Sequence, residues 1–221
     1  MTGESRPAVL ERRLTSLLGR IALPTGPHPE LGSGRSAHHE GTKPLVPAAV
    51  LVPLVVDARG VNVVLTLRDA NLKSHPGQIS FPGGRVEADD PDVAHTALRE
   101  THEELGVAPE HVRVIGALAP VHTGTGYSVV PVMGLIPPAY PYVPDTREVA
   151  EVFDVPLRFL LDPANHTPQA YVVEGRRRQY YEILYRGHRI WGATANMIVS
   201  LYQKLERDAV YMDINALLAQ P

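Results

Sequence analysis

The chain contains no cysteine among its 221 residues. That excludes disulfides, zinc–thiolate centres, iron–sulfur clusters and a thiolate nucleophile. Any metal must therefore be held by Asp, Glu, His or backbone oxygen. An excess of one charge is also missing: 21 Lys plus Arg face 24 Asp plus Glu, a formal net charge of -3. General nucleic-acid binders carry a basic excess, so that class is set aside. Long apolar runs are lacking as well. The longest, Leu45 to Val56, spans 12 residues and is interrupted by Pro47 and Pro53, whereas a membrane-spanning helix needs about 20. The opening residues, MTGESRPAVLERR, lack the apolar core of a secretory signal. The expectation is a soluble cytoplasmic protein without a membrane partner.

What is present is a globular composition, 44% hydrophobic and 20% charged. Proline (21) and glycine (18) are abundant, which announces many turns and proline-bounded segments. Helical spacing of Val9, Leu10, Leu14, Leu17, Leu18 and Ile21 predicts a helix over 7–21. Residues 24–44 read as a loop or arm. Its His38–His39 pair is read as solvated rather than metal-binding. Strands are predicted at 48–56 and 61–67, joined through Asp57–Gly60, with a short strand at 79–81. A helix follows over 91–105, capped by Asp90, with Pro91 in its first turn and Gly106 at its end. Further strands are predicted at 112–118 and 129–136, and a short helix at 155–161. A hairpin over 169–173 and 180–185 turns at Gly175–Arg178. An amphipathic helix at 194–205 closes the core, and Trp191 is placed in that core. The organisation is an N-terminal helix and Pro/Gly-rich arm (1–44), a main domain (45–207) and a C-terminal tail (208–221). Strands and helices do not alternate regularly, so the fold class is α/β in the broad sense (α+β), a mixed sheet sandwiched between helices.

Chemistry concentrates in GGRVEADDPDVAHTALRETHEELGV, residues 83–107. At about 100° per residue, Glu100, Glu103 and Glu104 fall within one arc of the helix. Ala94, Ala97, Leu98, Thr101 and Leu105 form the apolar stripe beside it. Like charges three and four residues apart cost a helix about 0.2–0.5 kcal/mol per pair. The candidates to offset this are Arg99 and a divalent cation, and hard oxygen ligands favour Mg²⁺ or Mn²⁺. Gly83–Gly84 lets the backbone turn sharply and bring a carbonyl close. At about 6% usage per residue type, Gly84, Arg99, Glu100, Glu103, Glu104 and Gly106 would arise together in roughly one chain in 100,000.

This segment resembles the Nudix box, G-x5-E-x7-R-E-U-x-E-E-x-G-U, where U is bulky and aliphatic. Arg99 to Val107 match its second half, with Thr101 in place of U. Gly84 lies one residue further from Arg99 than the general pattern, and Asp90 fills the early acidic position. That expansion resembles the coenzyme A pyrophosphatase branch of the family. So does the upstream run Val64 to Gly84, in which Thr66, Arg68, Gly77 and Phe81–Pro82–Gly83–Gly84 match the branch. Val64, Lys73 and Asp69 replace its Leu, Arg and Ser or Ala. Residues 148–163 and Ile190 to Ala195 (IWGATA) look similar too.

The resemblance implies the Nudix fold and metal-dependent hydrolysis of a phosphoric anhydride. It makes Glu100 and Glu104 metal ligands for Mg²⁺ or Mn²⁺, with the Gly84 or Gly83 carbonyl nearby. Arg99 and Glu103 become catalytic residues: Arg99 orients the carboxylates, and Glu103 is a ligand, a partner of Arg99 or the general base. Glu148 and Glu151 are further candidates for the base. Arg68, Lys73, His75, Phe81 and Gly83 are the substrate-binding candidates. The implied partner is a nucleotide-diphosphate small molecule, coenzyme A or its acyl derivatives, with a homodimer left open. Other nucleoside diphosphates, such as ADP-ribose or NADH, and a silent nucleotide-sensing module are the alternatives. His122 and Gly124–Thr125–Gly126 are weaker phosphate contacts, the latter read as a strand-connecting turn.

Overall fold

The computed structural model describes residues 4–25, 44–173 and 176–219. The histidines at 38 and 39 lie outside the described residues, as does Gly175. The first helix, α1 (Arg6–Gly19), buries Leu10, Leu14 and Leu18. The strands β1 (Val46–Asp57), β2 (Gly60–Arg68), β3 (Ile79–Ser80) and β4 (Gly83–Arg85) follow. Helix α2 (Val93–Leu105) leads to β5 (Arg113–Ala117), β6 (Val121–His122), β7 (Tyr127–Ile136) and β8 (Val149–Pro156). A short α3 (Leu157–Leu161), the strands β9 (Thr167–Val173), β10 (Arg176–Tyr185) and β11 (His188–Trp191), and the helices α4 (Ala193–Arg207) and α5 (Tyr211–Leu218) complete the chain.

The main sheet is mixed, as the irregular alternation predicts. Its order is β3-β2-β1-β7-β5, with β4 pairing β1, β6 pairing β7 and β8 pairing β2. Among the described residues only β1 and β7 run parallel, in register from Val46 opposite Tyr127 to Val55 opposite Ile136. A sheet covered on both faces needs strands apolar on both sides. In β1, Ala48, Val52, Leu54 and Val56 enter one core and Ala49, Leu51 and Val55 the other. Helix α2 covers the second face through Val93, Ala94, Ala97 and Leu105. The first face is covered by α1, α3, α4, α5 and the small β9–β10–β11 sheet.

Several expectations are corrected. The cap of α2 is Asp92, whose carboxylate accepts the His95 N–H at 2.9 Å; Asp90 is turned elsewhere. Residues 155 and 156 end strand β8 rather than begin a helix, and β8 itself was not read from the sequence. Arg176 to Arg178 already belong to β10, paired with Val173, Val172 and Tyr171, rather than forming a turn. Trp191 is only half-buried, with Tyr180 edge-on at 5.9 Å and the Arg189 guanidinium over its face at 5.1 Å. The segment read as a tail carries α5, which buries Ile214 and Leu217.

Candidate active site

Strand β4 pairs antiparallel with β1, setting Gly83 opposite Val50 and Gly84 opposite Ala49. A Cβ on Gly83 would overlap the backbone of Ala49 and Val50, and its φ of 154° lies where side chains are rarely tolerated. A Cβ on Gly84 would overlap the Glu100 carboxylate. Both glycines are thus there for close approach, the second so that α2 brings an acidic group against the strand. Gly106 ends α2 in the left-handed conformation, its N–H bonded to the His102 carbonyl.

Arg99 binds the preceding loop to the helix. Its guanidinium donates to Asp90 at 3.1 and 3.2 Å, to the Arg85 carbonyl at 3.0 Å, to Glu100 at 2.9 Å and to Glu103 at 3.4 Å. Asp90 also accepts from the Thr96 hydroxyl and the Glu87 N–H. These donors hold its carboxyl down at about 2, against its partial burial. Arg85 in turn donates to the Tyr127 hydroxyl at 2.6 Å, so the loop is also tied to β7.

Glu104 is the buried member of the acidic set, 4% exposed, whereas Glu103 is largely solvated. Burial pushes the Glu104 carboxyl up to about 8. Arg68 and the Gly83 N–H oppose the rise, while Glu100 and Glu148 add to it. Glu100 is raised too, first by burial, with Arg99 opposing and Glu103 and Glu148 adding. Arg68 approaches Glu104 at 3.4 Å and Glu148 at 3.9 Å. It reaches them from a register shift between β2 and β8 at Leu67–Arg68, the kind of irregularity that re-aims a side chain.

Among the described residues no three acidic or histidine side chains already form a closed metal cage. The donor set nonetheless fits a hard divalent ion. Glu104 Oε1 is met by Arg68, but Oε2 is buried with no hydrogen-bond partner, and a buried carboxylate oxygen left unpaired is costly unless a cation meets it. Carboxylate oxygens are the donors such ions take.

The structure therefore brings Gly83, Gly84, Arg99, Glu100, Glu103, Glu104 and Arg68 together. Lys73 and His75 stand exposed on the 69–78 loop that connects β2 to β3. His75 has a φ of 56° and its Nδ1 lies 3.0 Å from the Gln78 side-chain oxygen. Phe81 is 3% exposed and packs in the main core, so it anchors the loop from beneath rather than facing a ligand. Glu148 faces the cluster, while Glu151 bonds His188 at 3.3 Å. His122 is exposed, and 123–126 is a turn between β6 and β7 closed by the Thr123 hydroxyl. The Arg85–Tyr127 pair had no signal in the sequence, since its members are far apart in the chain.

Residues 45–171 match the family model described as the NUDIX domain. Over 193 residues the chain is 35% identical to a Photorhabdus laumondii protein named uncharacterized Nudix hydrolase NudL, covering 87% of this chain and 98% of that one. A protein of the same name from Citrobacter koseri is 42% identical over 154 residues, 70% of this chain and 80% of that one. Among solved structures, the Nudix hydrolase RenU of M. smegmatis is similar with a TM-score of 0.49 and 20% identity, over 76% of this chain and 88% of that one. The glycine strand, the acidic helix and a match spanning most of the catalytic region agree: this chain belongs to the Nudix hydrolase family.

Proposed function

We propose that this Nudix hydrolase cleaves the diphosphate of coenzyme A or an acyl-coenzyme A, giving 3′,5′-ADP and the (acyl-)phosphopantetheine half. The observation that carries the reading is the path of the run from Arg68 to Gly84. One end pairs with Glu104, the other lies against Glu100, and the loop between them holds the exposed Lys73 and His75. A substrate bearing a third phosphate calls for a cation beside the diphosphate site, and Lys73 supplies one as a point charge.

Glu100 and Glu104 would hold Mg²⁺ or Mn²⁺, with a Gly83 or Gly84 carbonyl beside them. Such an ion, when bound, neutralises phosphate charge and acidifies a water. Arg99 donates to both Glu100 and Glu103 and so bridges the two carboxylates. Arg68 holds Glu104 from the opposite side. Glu148, exposed and electrostatically coupled to both acidic groups, is the base candidate that faces the cluster; Glu103, bonded to Arg99, is the other.

A second reading, hydrolysis of ADP-ribose or NADH, is favoured by one observation. Arg68 is engaged by Glu104 and Glu148 and so is not free for an extra phosphate. The deciding measurement is kcat/KM for coenzyme A against dephospho-coenzyme A, ADP-ribose and NADH. The coenzyme A reading expects coenzyme A to lead, with Lys73→Ala raising its KM more than that of dephospho-coenzyme A. A tenfold preference for ADP-ribose or NADH would overturn it and leave the second reading.

A further inference from the structure

The IWGATA segment, Ile190 to Ala195, has no part in the chemistry described so far. It ends β11 and begins α4, and its Thr194 is 5% exposed. A threonine at a helix start normally caps its own helix. Here it does not: the cap position is Gly192, with no side-chain cap bond. The Thr194 hydroxyl instead donates to the Ile79 carbonyl at 3.0 Å, across 115 residues of sequence.

That carbonyl belongs to the two-residue strand on which the catalytic run depends. Strand β3 pairs with β2 through Thr66 opposite Ser80 and Leu67 opposite Ile79. The Gln78 and Ser80 carbonyls face β2, accepting from the Arg68 N–H and the Thr66 hydroxyl. The carbonyl between them turns the other way, as strand carbonyls alternate, and meets Thr194. The same turn grips the neighbouring sheet: the Gly192 N–H donates to the Tyr181 carbonyl, and the Asn196 side-chain oxygen accepts the Tyr181 N–H. We propose that Thr194 is a positioning residue for hydrolysis. Its hydroxyl fixes the outer edge of β3, and through Phe81–Pro82 the register of Gly83–Gly84 against Glu100 and Glu104. The proposal rests on the family assignment and not on the choice of substrate.

The test compares Thr194→Val, which keeps the shape but removes the donor, with Thr194→Ser, which restores it. Kinetics are measured on whichever of coenzyme A and ADP-ribose the wild type cleaves faster, at a temperature where both variants are folded. Amide exchange is followed at Phe81, Gly83 and Gly84. Misplacement of catalytic groups by about 1 Å costs up to 100-fold in rate. The expected result for Thr194→Val is a 10- to 100-fold loss of kcat with KM within threefold. Exchange should rise at those three amides and not along β5 and β7, and Thr194→Ser should return both readouts toward wild type. A kcat within twofold of wild type and unchanged exchange, with only a lower melting temperature, would make Thr194 a packing residue and overturn the proposal. If the wild type cleaves neither substrate, the substrate readings fail, and the exchange comparison alone decides Thr194.

Discussion

At the scale of single residues, the two carboxylates closest to the glycine strand differ from the rest of the acidic helix in being withdrawn from water. Glu104→Gln and Glu100→Gln are expected to lower kcat by two or more orders of magnitude, each tenfold being about 1.4 kcal/mol of transition-state stabilisation. Thermal stability should hold or rise in Glu104→Gln, because a buried group raised to about 8 loses its desolvation cost. Steady-state kinetics alongside thermal melts check both halves; near wild-type turnover in either variant contradicts the ligand assignment. Glu100, Glu103 and Glu104 were legible because a helical repeat alone places them on one arc. The division of labour among them was not, since burial depends on which strand the arc meets. Arg68 was legible as a substrate-binding candidate but not as the partner of Glu104. Its direction is set by a register shift between two strands, and β8 had no clear signature.

At the scale of elements, the loop between β4 and α2 is held by one carboxylate. Asp90 is 7% exposed on its side chain and bonded to Arg99, Thr96 and the Glu87 backbone. Its carboxyl lies at about 2 against an ordinary 3.8. A depressed carboxyl stabilises the fold above its unfolded value and ceases to do so as the pH falls. Stability should therefore drop by about 2 kcal/mol as pH falls from near 4 through 2. Asp90→Asn should remove that part of the acid limb while lowering stability at neutral pH. Denaturant melts from pH 2 to 7 test this, and parallel acid limbs in both proteins would contradict it.

Asp90 has the sequence signature of the helix cap because it precedes Pro91. The structure gives that work to Asp92, two residues on, and frees Asp90 to meet Arg99. Strand β8 has a weak sequence signature for a related reason. Only Val149 and Val155 along it are buried, too few for the alternation that marks a half-buried strand.

At the scale of the whole molecule, the C-terminal segment closes the core that the N-terminal helix opens. Val210, Ile214 and Leu217 are buried within the same cluster as Leu10, Leu14 and Leu18. Fully burying a side chain of this kind contributes about 1.5–3 kcal/mol. Truncation after Arg207 should accordingly lower the melting temperature by 10 °C or more, while the acidic site, on the opposite face of the sheet, keeps its arrangement. Calorimetry of the truncated protein decides this, and an unchanged melt would show that α5 contributes nothing to the core. The mixed sheet and its flanking helices were readable from composition and periodicity. The docking of α5 was not, because its packing surface is assembled from α1, α3 and α4 and none of these neighbours it closely in sequence except α4. Among the described residues no helix is long and apolar enough to cross a membrane.

The central claim is that the glycine strand and the Glu100–Glu104 face of α2 form a cation-dependent centre for cleaving a diphosphate. The most direct measurement is the hydrolysis rate of coenzyme A and ADP-ribose by the purified wild type, first in excess chelator and then after Mg²⁺ or Mn²⁺ is returned. The rate is expected to vanish in chelator and to recover with either ion. Full turnover retained in excess chelator would contradict it.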